Sequence, residues 1–249
     1  MSSPPPANKT ILFLGATGGV GLSALRRAVA AGHTCIALCR TPSKLAAHFP
    51  SSPVNLHLAQ GNAHDADTLA HVLVHPSDAA RLVDIIIFSI GARPTLRGME
   101  DAHVCERGMT ALLSALRTCR ENTKSWRPRI VAVSTTGIST VGRDIPLLMV
   151  PLYKVLLHTP HADKKIMERL LVESGEEWVI VRGSLYTNGP ETEGLVREGM
   201  EDPVAGAVVG EAAVGYTISR EDVGKWVFEN CIRDDSAGKW VGKAAMITY

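Results

Sequence analysis

Short apolar runs and longer amphipathic stretches alternate along the chain. Residues 10–15, 33–39, 54–60, 83–91, 129–137 and 177–183 read as strands, and 239–249 as a run that closes the sheet. The run "VDIIIFSIG" at 83–91 has no polar alternation, as expected of a strand covered on both faces of a sheet. Between these runs the period lengthens to that of a helix. In 18–31, Val20, Leu22, Leu25 and Val29 are apolar while Arg26 and Arg27 are polar. Further helices are expected from residue 41, with Pro42 at the favoured first position, from about Asp65, and over 99–119, 162–174 and 220–231. Strands alternating with helices predict an α/β protein with a doubly wound parallel sheet, in one domain over residues 10–249. Residues 189–214 break the rhythm. They are glycine-rich, weakly periodic and interrupted by Pro190 and Pro203, and read as a small substrate lobe or lid near the C-terminus. Residues 1–9, with three consecutive prolines, read as a disordered tail.

Composition narrows the function classes. The chain has 249 residues, 45% apolar and 20% charged, with a formal net charge of +1. That balance suits a globular protein with a sizeable core and gives no general attraction to nucleic acid or an anionic membrane. The start "MSSPPPANK" lacks the apolar region of a secretory signal, and no apolar run approaches the roughly 20 residues of a membrane span. Five cysteines, Cys35, Cys39, Cys105, Cys119 and Cys231, form no CxxC pair and no Cys/His metal spacing. They read as reduced thiols in a reducing, cytoplasmic setting, with no metal site. The expected partner is a small-molecule substrate, and the expected assembly a monomer or homodimer.

The stretch "TILFLGATGGVG" places glycines directly behind the first strand, where the first helix begins. Free backbone N–H groups and the positive end of the helix dipole there can hold a phosphate. Gly15, Gly18 and Gly21 form GxxGxxG, a relative of the dinucleotide fingerprint. Gly15 would permit the turn, Gly18 the approach of a pyrophosphate and Gly21 close packing of helix on strand. Thr17, Gly19 and Val20 belong to the same turn. The second strand ends in Arg40, with no acid nearby and Lys44 one helical turn on. An acid would suit the ribose hydroxyls of NAD. An arginine suits a 2′-phosphate, so the expected cofactor is NADP(H).

"FLGATGGVG…CR" resembles the atypical short-chain dehydrogenase/reductase superfamily, in particular NAD(P)-binding proteins similar to NmrA and to flavin/biliverdin-IXβ reductase. The resemblance covers nearly the whole chain and implies a Rossmann fold. "QGNAHDADTL" resembles the turn that lies near the adenine, with Asn62 in place of the usual acid and Ala63 after it. "FSIGARP" resembles the loop that passes the middle of the cofactor, which implicates Ser89, Ile90 and Gly91. "ADKKIMERLLVESGEEWVIVRG" resembles a helix and following strand in which Gly183 replaces a usual proline, and "TISREDVGKWV" resembles a late segment of the family. The resemblance also puts Lys164 at the position of the superfamily's lysine, with Pro160 where its tyrosine would stand and His161 alongside.

Many members use Tyr-x-x-x-Lys to move a proton at the substrate oxygen. Here Tyr153 is followed four residues later by Leu157, so that motif is missing. The remaining candidates are Ser134, Thr135 and Thr136 at the end of the fifth strand, His161, Lys164, Tyr153 and, as a wall of the nicotinamide pocket, Tyr186. Each has a plainer alternative: strand-end bonding for the hydroxyls, a surface position for His161, a pair with Glu168 for Lys164, and a core position for Tyr153. The resemblance implies an NADPH-dependent oxidoreductase acting on a small conjugated or aromatic carbonyl or quinone-like compound, of the kind found in secondary metabolism. A non-catalytic NADP(H) sensor, or an isomerase or epimerase using bound cofactor, is the alternative.

Overall fold

The computed structural model describes residues 8–92, 94–95, 98–121, 126–192, 194, 196–233 and 238–249. Most of the proline-rich tail, residues 1–7, lies outside them. Nine strands form the main sheet: β1 (Thr10–Leu14), β2 (Thr34–Cys39), β3 (Leu56–Gln60), β4 (Ile85–Phe88), β5 (Arg129–Thr135), β6 (Glu177–Gly183), β7 (Arg197–Asp202), β8 (Ala207–Val209) and β9 (Lys243–Thr248). Their order is β8-β7-β9-β6-β5-β4-β1-β2-β3. Pairing is parallel from β3 across to β9, and β7 and β8 add antiparallel at the far edge. The direction of winding reverses between β1 and β4, which opens a crevice at the carboxyl ends of these strands.

The helices are α1 (Gly19–Ala30), α2 (Pro42–Ala46), α3 (Ala66–Leu73), α4 (Val104–Arg120), α5 (Val150–Leu156), α6 (His158–Glu173) and α7 (Arg220–Val227). Two apolar layers sandwich the sheet. Leu22, Leu25, Val223, Trp226 and Trp240 cover one face, and Leu69, Leu112, Leu116, Met167 and Leu171 the other. Every residue of β4 is buried, as its apolar sequence requires. Two carboxylates set helix starts. Asp65 accepts the N–H of Asp67 and caps α3. Asp163, reaching from α6, accepts the N–H groups of Cys105 and Glu106 at 2.9 and 2.8 Å and so holds the first turn of α4.

Several elements differ from the sequence expectation: the helix expected over 99–119 starts only at Val104, and the strand expected from residue 54 starts at Leu56. The strand expected over 83–91 ends at Phe88, because β1 stops at Leu14 and turns at Gly15, leaving Ser89 N–H to Leu14 O at 2.8 Å as the last backbone bond between them. Helix α6 begins at His158 rather than 162. Its first turn has no intrahelical N–H partners to lose, so Pro160 is tolerated there. The segment 189–214 carries β7 and β8, which extend the main sheet. Their turn is set by Asp202, whose Oδ1 accepts the N–H groups of Val204 and Ala205, and by Gly206 at φ +64°. Outside the main sheet, Val74–His75 pairs antiparallel with Asp78–Leu82, and Leu185–Thr187 pairs parallel with Thr217–Ser219.

Candidate functional site

β1 ends at the mouth of the crevice, and the next residues must turn without side chains. Gly15 sits at φ +91°, and a Cβ on it would stand 2.6 Å from the carbonyl oxygen of Ser89. A Cβ on Gly21 would press the Ser89 hydroxyl and lie 2.8 Å from the Gly15 oxygen, so this glycine lets α1 approach the strand end. Gly18 is different: nothing lies within 4 Å of a Cβ there. The turn is open above Gly18, and α1 has neither a side-chain cap nor an acid in its first turn. Gly18 and Gly19 are exposed, Thr17 half-buried and Val20 buried in the core. An anion therefore fits this turn by the chain's own geometry.

The surrounding loops frame the same crevice. Ser89 Oγ donates to Leu14 O at 3.0 Å and locks the loop after β4 to the end of β1. Ile90 packs into the core beneath α4, while Gly91 is exposed. Arg40 stands exposed directly after β2, with no carboxylate partner among the described residues, and Lys44 is exposed on α2. Asn62 is exposed after β3 and accepts the N–H of His64 at 3.1 Å, with Ala63 half-buried beside it.

The ends of β5 and β6 build a second cluster. Tyr153 from α5 and His161 from α6 meet with ring centroids 5.2 Å apart. Both press on Gly137 (φ +85°), where a Cβ would stand 2.8 Å from Tyr153 Cε1 and 2.9 Å from His161 Cε1. The Asp144 carboxylate fixes that loop by accepting the Gly137 N–H at 2.7 Å, and burial raises its pKa. Burial also raises the Tyr153 phenol. Burial, then the charges of Lys165 and Lys164, lowers His161 to about 4, so its imidazole is uncharged at neutral pH. Ser134 Oγ and His161 Nε2 are buried without hydrogen-bond partners among the described residues. Thr135 is buried, and the Thr136 N–H bonds Gly183 O at 2.9 Å.

Lys164 does not pair with Glu168. Its Nζ donates to Val133 O of β5 at 2.9 Å. Glu168 is instead bound to Arg182. His161 is not on the surface either, because α6 starts a turn early and carries it inward to Tyr153. Tyr186 bridges the two strand ends: its hydroxyl donates to Ser134 O at 2.6 Å and accepts the Gly183 N–H at 3.2 Å. Burial raises the pKa of this phenol strongly. Gly183 lies under the Tyr186 ring, and a Cβ on it would stand 2.6 Å from Tyr186 Cε1. The tyrosine fills the space a side chain at 183 would need.

Several polar residues around the cluster have no motif. Asp144 acts through the loop it pins at Gly137 and Asp163 through the first turn of α4. The interior position of Arg182 in the apolar strand "EWVIVRG" was the one visible signal of a buried ion cluster with Glu168 and Glu201.

Residues 15–234 match the model of the NAD(P)H-binding family. The chain is 38% identical to "Reductase pytE" of Aspergillus terreus, over all of both chains. It is 35% identical to "Oxidase pynE" of Aspergillus niger, covering 96% of this chain and 98% of that one. A short-chain dehydrogenase/reductase from Veillonella parvula, solved in complex with NADP, shares the fold with a TM-score of 0.71 at 16% identity, covering 97% of this chain and 94% of that one. The chain thus belongs to the NAD(P)H-binding family. It is an NAD(P)H-dependent oxidoreductase of Rossmann fold. No helix among the described residues is long and apolar enough to cross a membrane.

Proposed function

We propose that the protein uses NADP(H) to reduce a small conjugated, aromatic or quinone-like carbonyl compound. The observation that carries the cofactor choice is Arg40, an exposed guanidinium at the end of β2 that no described carboxylate neutralises, with Lys44 exposed nearby. A forked cation at that point favours a 2′-phosphate over a bare ribose hydroxyl. The turn from Gly15 to Gly21, including Thr17, Gly18, Gly19 and Val20, holds the diphosphate. Asn62 and Ala63 border the adenine, and Ser89, Ile90 and Gly91 line the middle of the cofactor. Gly183 acts by packing, through the space it leaves for Tyr186.

When bound, the nicotinamide supplies the hydride. The chain's own residues position the acceptor and handle the proton. Tyr153 keeps its hydroxyl proton at neutral pH, because burial disfavours the phenolate, so it acts as a hydrogen-bond donor toward a carbonyl oxygen. Uncharged His161 orients the Tyr153 ring rather than delivering a proton as imidazolium. Ser134 and Thr135 offer hydroxyls at the same strand end. Lys164 spends one N–H on Val133 O and keeps two for a ribose hydroxyl. A conjugated acceptor needs little acid assistance, which suits a chain without Tyr-x-x-x-Lys. Residues 189–214 roof the substrate, and the enzyme works in a reducing cytoplasm as a monomer or homodimer.

The burial of Ser134, Tyr153 and His161 favours a second reading, a sensor that binds NADP(H) without turnover. NADPH oxidation followed across a panel of quinones, flavins and aromatic ketones separates the two. Turnover that falls in Tyr153→Phe supports the reductase, and no oxidation with any acceptor supports the sensor. Product formation without net NADPH consumption would instead mark an isomerase or epimerase.

A further inference from the structure

Arg220, the first residue of α7, lies over the glycine turn. A Cβ on Gly19 would meet its Cδ at 3.1 Å and its Nε at 3.6 Å. The guanidinium carbon stands 5.6 Å from the centre of the Tyr186 ring. Nη1 donates to Asn188 Oδ1 at 2.8 Å and to Tyr186 O at 3.4 Å. Both partners are neutral, and among the described residues no carboxylate pairs with Arg220. The contrast with Arg27, on the same seam between α1 and α7, is sharp. Arg27 is neutralised twice, by Glu191 at 2.6 Å and by Glu221 at 3.2 Å. Glu221 directly follows Arg220 in the chain, yet it serves Arg27. One arginine of the seam is paired with two carboxylates, and the other has no carboxylate partner among the described residues and lies beside the open, uncapped first turn of α1.

Among the described residues only its Nη1 has a hydrogen-bond acceptor, and the Tyr186 face and Asn188 hold the guanidinium in place. A pre-positioned fork of this kind binds a phosphate oxygen with little loss of side-chain freedom. We propose that Arg220 is a diphosphate-binding residue of the cofactor site. Through Asn188 and Tyr186, it also links an occupied glycine turn to the segment that leads into the C-terminal lobe. The inference rests on NAD(P)H binding at that turn and is independent of the choice between NADP and NAD.

The test uses the full chain and compares Arg220→Ala, Arg220→Gln and Arg220→Lys with the parent. Dissociation constants are measured for NADPH, NADH, ADP-ribose and 2′-AMP, and melting temperatures without ligand. Loss of one charged contact predicts that Arg220→Ala and Arg220→Gln weaken NADPH, NADH and ADP-ribose together, by roughly ten- to a hundredfold. The NADPH/NADH preference and the affinity for 2′-AMP stay as in the parent, and Arg220→Lys recovers part of the loss. Arg40→Ala gives the opposite pattern: the preference collapses while ADP-ribose binding persists. The two readings therefore fail separately. The proposal is overturned if either neutral variant, still folded, binds ADP-ribose as tightly as the parent. It is equally overturned if ligand affinity falls only in step with the ligand-free melting temperature, which would make Arg220 a packing residue.

Discussion

The buried ion cluster at Arg182 sets the most demanding test of the fold. Arg182 Nε donates to both Glu168 oxygens at 3.1 and 3.2 Å, its Nη2 to Glu168 Oε2 at 2.7 Å and its Nη1 to Glu201 Oε1 at 2.8 Å. Ser139 Oγ adds a bond to Glu201 Oε2 at 2.5 Å. The side chains are 4%, 9% and 1% exposed for Arg182, Glu168 and Glu201. The cluster therefore joins β6, α6 and β7 in a setting with little water. Replacing Arg182 with Met keeps most of the volume and strands two carboxylates. Breaking a buried pair in this way costs about 3–5 kcal/mol, a large share of the ~5–15 kcal/mol that holds a typical domain. Urea unfolding with linear extrapolation measures it. Because stranded carboxylates take up protons in the folded state, the deficit should shrink as the pH is lowered from 7 toward ~5. Converting the whole cluster to apolar residues, Arg182→Met with Glu168→Leu and Glu201→Leu, should recover most of the loss, since no charge then remains to be desolvated. A deficit below ~1 kcal/mol in Arg182→Met, or one that does not change with pH, would refute this account.

Other outcomes follow from the same geometry. Gly21→Ala should open the junction of α1 and β1, costing ~1–3 kcal/mol and weakening cofactor binding, whereas Gly18→Ala, in open space, should leave stability nearly unchanged; thermal melting and NADPH titration read both. His161 titrates near 4 when folded and near 6.5 when unfolded, so the unfolded chain binds more protons between those values and stability falls as pH drops through that window. His161→Asn should flatten that part of the pH–stability curve, and an unchanged curve would contradict the burial of the imidazole. All five cysteines are buried, and burial pushes Cys35 and Cys231 up to about 12 and Cys105 to about 11. A disulfide thiol reagent should therefore label none quickly in the native protein and all of them after unfolding.

What this chain's sequence determined by itself was whatever lies within one window of residues. The strand at 85–88, the helix at 19–30 and the glycine turn between Leu14 and Val20 each announce themselves by period, by apolar run or by backbone demand. These are local energies, and they survive transfer from sequence to fold. Tertiary structure decided everything that depends on where two elements land. The strand at 83–91 loses its last residues because β1, its partner, turns away at Gly15, so that the Ser89 N–H bond to Leu14 O, 75 positions away, is the last between the two strands. β7 became a sheet strand because the edge of β9 was free to pair with it, although its own sequence, "REGMED", is far too polar to read as a strand. Lys164 stands four residues before Glu168, yet Arg182 takes that carboxylate with two nitrogens, because the buried guanidinium packs against it while the Lys164 ammonium is drawn to Val133 O. Tyr153 and His161 meet only because Gly137 leaves room for both rings. Arg220 reaches Gly19 only because α7 packs beside α1. Distances between side chains far apart in the chain are set by packing, and no window of sequence contains them.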